Sequence, residues 1–325
     1  MTRNLYSVVA WMAGAAIAVS AANAPAQQFP TKPIRFLVGF APGGSTDILA
    51  RMVAEQMTQR WGQQVVVDNR GGAAGLIAAD FTAKSAPDGY TVLMAISNHV
   101  IAPSVYAKIP YDTINDFAPV SPVGASPFLV LANLALPAKN LQEFIALAKS
   151  KPGQLNFATP GVGSIQHLSN ELLNAMAGIK MVHVPYKGGV PALMDTIAGA
   201  AAVTFITPAQ ALPQVRAGKV KAFGISSVKR SPVLPDVPTV AEAGVPGFEA
   251  IVWFGVLTQV KTPRPIIDKL HAEIARMLAL PETRERMAQL GVDVLNGSPE
   301  QLGKMMRDDL QKWSAVAKQA GIEPE

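Results

Sequence analysis

Glycines recur in three short segments, Phe40–Asp47 (FAPGGSTD), Asp68–Gly75 (DNRGGAAG) and Thr159–Ser164 (TPGVGS), the first and third with hydroxyl residues beside them. The first and third each follow a short apolar run and precede a run with helical spacing. In both, glycines and then a serine stand where a helix should begin. The first N–H groups of a helix have no intrahelical partner and carry partial positive charge. Glycine lets the backbone come close to a bound group, so a carboxylate or phosphate can lie on those donors. Ser45 and Thr46 can add hydroxyls. Asp47, acceptor-only when ionised, can take a bond from an amino or hydroxyl group or simply favour the helix N-terminus. The plainer alternative is a tight turn at Gly43-Gly44 with Ser45 as a helix cap. Two such loops in two different parts of the chain favour binding. Neither has the Gly-Lys-Ser/Thr of a P-loop or a G-x-G-x-x-G run, and neither contains Lys or Arg, which favours a carboxylate over a phosphate.

Catalytic constellations are sparse. The four histidines, His99, His167, His183 and His271, lack metal-site spacing. His99 follows Ser97-Asn98 at the end of a strand, where a ligand could touch it. His167 lies one turn after Ser164, so a serine nucleophile with its base is conceivable, but no third partner or oxyanion arrangement is evident. His183 reads as a packed or hydrogen-bonded structural residue. Asp47 and Asp68 follow neighbouring strands without being brought to a working separation. Trp253 and Phe254 are either hinge core or cleft wall. The expectation is binding without catalysis, with no metal and no cofactor.

The elements that must position these loops alternate between strand-like and helix-like. Apolar runs at IRFLVGF, QVVVDN, Tyr90–Ile96, FLVLA, LNFAT, MVHVPY, AVTFIT and KAFGIS are short and rich in Val, Ile and Phe. They are separated by helical patterns at Thr46–Trp61, Ala73–Lys84, Leu141–Ser150, Ser164–Ala177, Val190–Ala198 and Pro208–Ala217. Such alternation predicts an α/β fold with mostly parallel sheets covered by helices. A proline-rich stretch after Ser226 leads to IVWFGVLT and three C-terminal helices, each starting near a proline. Two lobes are expected: residues 27–125 with 248–325, and an inserted second lobe at 126–247. In open α/β sheets ligands bind beyond the carboxyl ends of the strands, where the glycine loops fall.

Composition bounds the reading. The chain has 325 residues, 49% hydrophobic and 16% charged, with a net charge of +5. That supports real cores, and the scattered basic residues do not form a nucleic-acid stripe. Residues 1–26 read as a signal peptide: Arg3, an apolar stretch from Leu5 to Val19, and Ala24-Pro25-Ala26 as the cleavage pattern. The chain has no cysteine, which excludes disulfides, thiolate metal sites and a lipid-modified N-terminal cysteine. A soluble, monomeric periplasmic protein is expected.

FPTKPIRFLVGFAPGGSTDILAR, VVVDNRGGAAG, AKSAPDGYTVLM, MVHVPYKGG and SPVLPDVPTVAEAGVPGFE together resemble the substrate-binding receptors of tripartite tricarboxylate transporters, the Bug or TctC family, over about residues 29–320. The resemblance implies a two-lobe Venus-flytrap (type II-like) periplasmic-binding-protein fold and no enzymatic activity. It also implies a carboxylate held between one loop of each lobe, and delivery to TctA/TctB-like permease subunits. In the first lobe the matching ligand-binding positions are Ala41, Pro42, Gly43, Gly44, Ser45, Thr46 and Asp47; Phe40, which opens that glycine loop, and Ser97, Asn98 and His99 at a strand end are further candidates read from their place in the chain. In the second lobe the matching positions are Thr159, Gly161, Val162, Gly163, Ser164 and Thr207. Where the family often has a polar pair, this chain has Ile206-Thr207, which points to a ligand with an apolar body. A receptor feeding a membrane kinase, or a serine-type hydrolase at Ser164 and His167, is the alternative function.

Overall fold

The computed structural model describes residues 29–324; the expected signal peptide lies outside the described residues. The chain runs β1 (Ile34–Val38), α1 (Ser45–Trp61), β2 (Val65–Asn69), α2 (Leu76–Ala83), β3 (Thr91–Ile96), a short α3 (Asn98–Ile101) and β4 (Phe117–Pro127). It continues through β5 (Leu129–Ala132), α4 (Leu141–Ser150), β6 (Asn156–Thr159), α5 (Ile165–Ala177), β7 (Val182–Pro185), α6 (Gly189–Ala198), β8 (Val203–Ile206), α7 (Pro208–Arg216) and β9 (Lys221–Ile225). It closes with β10 (Ile251–Gln259), α8 (Arg264–Ala279), α9 (Pro281–Gln289), β11 (Asp293–Val294) and α10 (Pro299–Gln319).

Two sheets result, one per lobe. The first has the order β11-β4-β10-β3-β1-β2 and the second β7-β6-β8-β5-β9. Successive side chains of a strand face opposite ways, so a strand covered on both sides is apolar throughout. In β1, Ile34, Phe36 and Val38 join a core with Leu49 and Val53 of α1. Leu37 joins the opposite core with Leu76 of α2 and Leu302 of α10.

The two-lobe α/β class is the expected one, but the sheets are mixed rather than mostly parallel. β1 pairs in parallel with β2 and β3, while β10 runs antiparallel to both β3 and β4. In the second sheet β6 pairs in parallel with β7 and β8, and β5 is antiparallel to β8 and β9. β4, β5, β9 and β10, the strands that flank the two crossovers between lobes, all take part in antiparallel pairs, and β11 also pairs antiparallel with β4.

β4 is a strand that apolar periodicity does not announce, because Pro119, Pro122 and Pro127 interrupt it. Proline cannot donate to a ladder and is tolerated in sheets at edges and bulges. Here the register against β10 shifts twice. Phe254 faces Gly124 and Gly255 faces Pro122; Val256 faces Ser121 and Leu257 faces Pro119. Each shift lets β4 bulge beside a proline.

Candidate functional site

The Phe40–Asp47 loop leaves the carboxyl end of β1 and enters α1. No side chain caps α1, whose N-cap is Gly44. Its first N–H groups are therefore left for a ligand or water. Ala41, Pro42 and Gly43 are exposed at the tip, Phe40 and Gly44 are half-buried, and Ser45, Thr46 and Asp47 are buried.

Asp47 faces the inside of its own loop. One carboxylate oxygen accepts from Gly43 N at 2.9 Å and Arg51 Nε at 3.0 Å. The other accepts from Asn69 Nδ2 at 2.9 Å and lies 3.0 Å from Arg51 Nη2. Asn69 also donates to the Phe40 carbonyl at 3.0 Å. Burial would raise the pKa of Asp47, but the bonds from Arg51, Gly43 and Asn69 outweigh it and hold the carboxyl below its ordinary value. Asp47 thus shapes the loop, with both oxygens already engaged. Arg51 and Asn69 were not anticipated from sequence; Asn69, a polar residue ending β2 beside the loop, carried the readable signal.

The DNRGGAAG segment packs behind this loop. A Cβ on Gly39 would stand 2.7 Å from Gly75 Cα, so the two backbones approach this closely only because residue 39 lacks a side chain. Ala73 and Ala74 hold φ of 45° and 53°, left-handed conformations rare for alanine. The expected helix from Ala73 accordingly begins as a single 3₁₀ turn, and α2 proper starts at Leu76.

In the second lobe, Ser164 caps α5. Its Oγ donates to Gly161 O at 2.7 Å and accepts from His167 N at 3.2 Å. Gly163 N donates to His167 Nδ1 at 3.4 Å. Thr159 Oγ1 lies 2.6 Å from His183 Nε2 and accepts from Gly161 N at 3.2 Å. The two imidazoles stack with centroids 3.8 Å apart. Burial, and for His167 the adjacent His183, pushes their pKa values down to about 3 for His167 and about 4 for His183. A neutral histidine pair therefore underlies the glycine turn. Val162 is 39% exposed, on the surface of the loop.

The lobes meet at these loops. Ser45 Oγ lies 3.3 Å from Thr207 Oγ1. Ile165 N, at the start of α5, donates to Asn98 Oδ1 at 3.2 Å. A Cβ on Gly163 would stand 2.7 Å from Val105 Cγ2. Asn98, Ser45 and Thr207 thus each make a contact with the opposite lobe. Ser97 is instead a strut: its Oγ accepts from Trp253 N at 3.2 Å. Trp253 Nε1 donates to Asp309 at 2.8 Å, and Trp253 and Phe254 are buried core residues. His99 Nε2 lies 2.9 Å from the Thr113 carbonyl oxygen.

Residues 49–322 match the model of the tripartite tricarboxylate transporter family receptor. The chain is 38% identical over 323 residues to protein BugT of Bordetella pertussis, covering 99% of this chain and 98% of that one. R. palustris Rpa4515, solved with adipate, superposes with a TM-score of 0.87 at 34% identity, over 91% of this chain and 100% of that one. The periplasmic binding protein BugD gives a TM-score of 0.84 at 35% identity, again over 91% and 100%.

Proposed function

This chain belongs to the tripartite tricarboxylate transporter receptor family, and on that premise we propose that it captures a small organic carboxylate between its lobes. The observation that carries the reading is the uncapped start of α1, with Ser45 facing Thr207 across the cleft. A carboxylate rests on the N–H groups at Gly44–Thr46, and the second lobe closes with Gly161–Ser164 and Thr207 opposite. Neutral donors bind one negative charge and release it when the lobes part. Ile206 is fully buried in the core of the second lobe and does not line the cleft; the Thr207 methyl at the lobe contact favours a ligand with an apolar body. The closed form is what TctA/TctB-like permease subunits recognise, with the receptor acting as a monomer in the periplasm.

The hydrolase alternative is disfavoured by hydrogen bonding. The Ser164 hydroxyl proton goes to Gly161 O, and His167 Nδ1 accepts from Gly163 N. The imidazole is thus occupied with the backbone rather than with the serine.

The test is a thermal-shift screen of residues 27–325, unfolded and refolded to strip carried-over ligand. The panel holds mono-, di- and tricarboxylates, acidic amino acids and phosphates. A ligand at a hundred times its dissociation constant adds ~2.7 kcal/mol, which moves the midpoint by roughly 5 °C. Shifts with carboxylates and none with phosphates are expected. Shifts with phosphates alone, or with nothing, would refute the reading.

A further inference from the structure

α7 opens with a sequence that should cap itself. Thr207, Pro208, Ala209 and Gln210 place a hydroxyl at the N-cap and an amide three residues on, the pattern of a capping box. α10 opens in the same way, with Ser298 and Gln301, and there the box forms. At α7 it does not, since the Thr207 side chain makes no cap bond. Both side chains reach to the first lobe instead. Thr207 Oγ1 lies 3.3 Å from Ser45 Oγ. Gln210 is half-buried, and its amide lies beside Gly44, the N-cap of α1: a Cβ on Gly44 would stand 4.0 Å from Gln210 Nε2.

The second lobe makes room for this placement. A Cβ on Gly189, the first residue of α6, would stand 2.9 Å from Gln210 Oε1, so a side chain there would displace the amide. No side chain caps α6, whose N-cap is Gly188. The partial positive charge of that helix start favours the amide oxygen on its side. The amide nitrogen is then turned to α1. It donates two N–H bonds and accepts none. It stands beside a second set of donors, the N–H groups at the uncapped start of α1. Donors converging from two lobes call for an acceptor between them, and an anionic one makes the strongest bonds.

We infer that Gln210 is the second lobe's direct contact with the ligand, its Nε2 donating to the same carboxylate that rests on the start of α1. The inference rests on the carboxylate-capture reading and adds to it a residue and a ligand class. One carboxylate is gripped from both lobes, so a single charge is enough to join them. A monocarboxylate with an apolar body therefore suffices for closure, and a second carboxylate is not required. Gln210 is not among the positions anticipated from sequence.

The experiment measures, by calorimetry at pH 7.5, binding of straight-chain monocarboxylates and α,ω-dicarboxylates of four to eight carbons to residues 27–325. At least one monocarboxylate is expected to bind and to lower the radius of gyration in small-angle scattering. Gln210→Leu keeps much of the bulk without the donors and should weaken that acid at least about tenfold. Gln210→Glu sets a negative charge beside the carboxylate and should weaken it further. At about pH 5 the two carboxylates can share a proton, so the Gln210→Glu variant should regain affinity while the unaltered protein does not. A packing role would not produce that pH profile. Binding confined to dicarboxylates, or a loss in Gln210→Glu that does not depend on pH, overturns the inference and leaves carboxylate capture standing. Full affinity in Gln210→Leu does the same, and assigns the amide to the Ala41 carbonyl, whose oxygen borders the same point at 4.0 Å. No binding of either series to the unaltered protein overturns both. Should a variant not fold, the side-chain ¹⁵N resonance of Gln210 in the unaltered protein decides. It should move on saturation with the carboxylate that binds tightest; no movement overturns the inference.

Discussion

Asp47 shows how far a single residue's type determines its role. An aspartate after Gly-Gly-Ser-Thr reads equally as a ligand acceptor and as a residue favouring a helix start. Its partners Arg51 and Asn69 decide, and Asn69 comes from another strand, which spacing alone does not reveal. Asp47→Asn keeps the shape but weakens the charge-assisted bonds to Gly43 N and Arg51. A loss of about 2 kcal/mol is expected in urea unfolding, together with weaker carboxylate binding. The pH dependence follows from the same residue scale. His99, His167 and His183 are all pushed below the ordinary histidine value, mainly by burial. The unfolded chain therefore takes up protons first. Their contribution to stability is complete above about pH 6.5 and is lost as pH falls toward about 4. Asp47, lowered from 3.8, adds a contribution present above that value and lost as pH falls below it. The urea midpoint should drop between pH 7 and pH 5; equal midpoints would show that these histidines are not held neutral in the fold.

The helices and most strands were legible because each buries a continuous apolar face. α4 was expected at Leu141–Ser150 and has those bounds. β4 was not legible, since prolines that normally exclude a strand are accommodated by two shifts in register against a partner far along the chain. α3 is too short to show a period. At the loop that opens α5, Gly163 has φ of +73° and leaves no room for a Cβ against Val105 of the other lobe. Gly163→Ala should both strain the turn and hold the lobes apart. Small-angle scattering should show a larger radius of gyration that ligand fails to reduce, with affinity lowered at least about tenfold. Undiminished ligand-induced compaction would place the closing contact elsewhere.

At the scale of the whole molecule, two lobes follow from the alternation of elements, but the way they touch does not. Ser45 meets Thr207, and Asn98 meets Ile165, across long stretches of sequence. Hydroxyl and amide groups at this contact are matched with one another, so parting the lobes breaks these bonds. α10 adds a further link by packing on β4 of one lobe and α5 of the other.

The strand order has a consequence for how the chain reaches this state. All five strands of the second sheet lie between Leu129 and Ile225, so that lobe is topologically self-contained. The first sheet is not: β10 must enter between β3 and β4, pairing Phe254 with Ile96. Until then β1, β2 and β3 carry an open edge beside β3. Long-range pairing of this kind is slow and leaves strand edges exposed to wrong partners. The inserted lobe can thus complete itself early, and arrival of β10 is the late event that seals its neighbour.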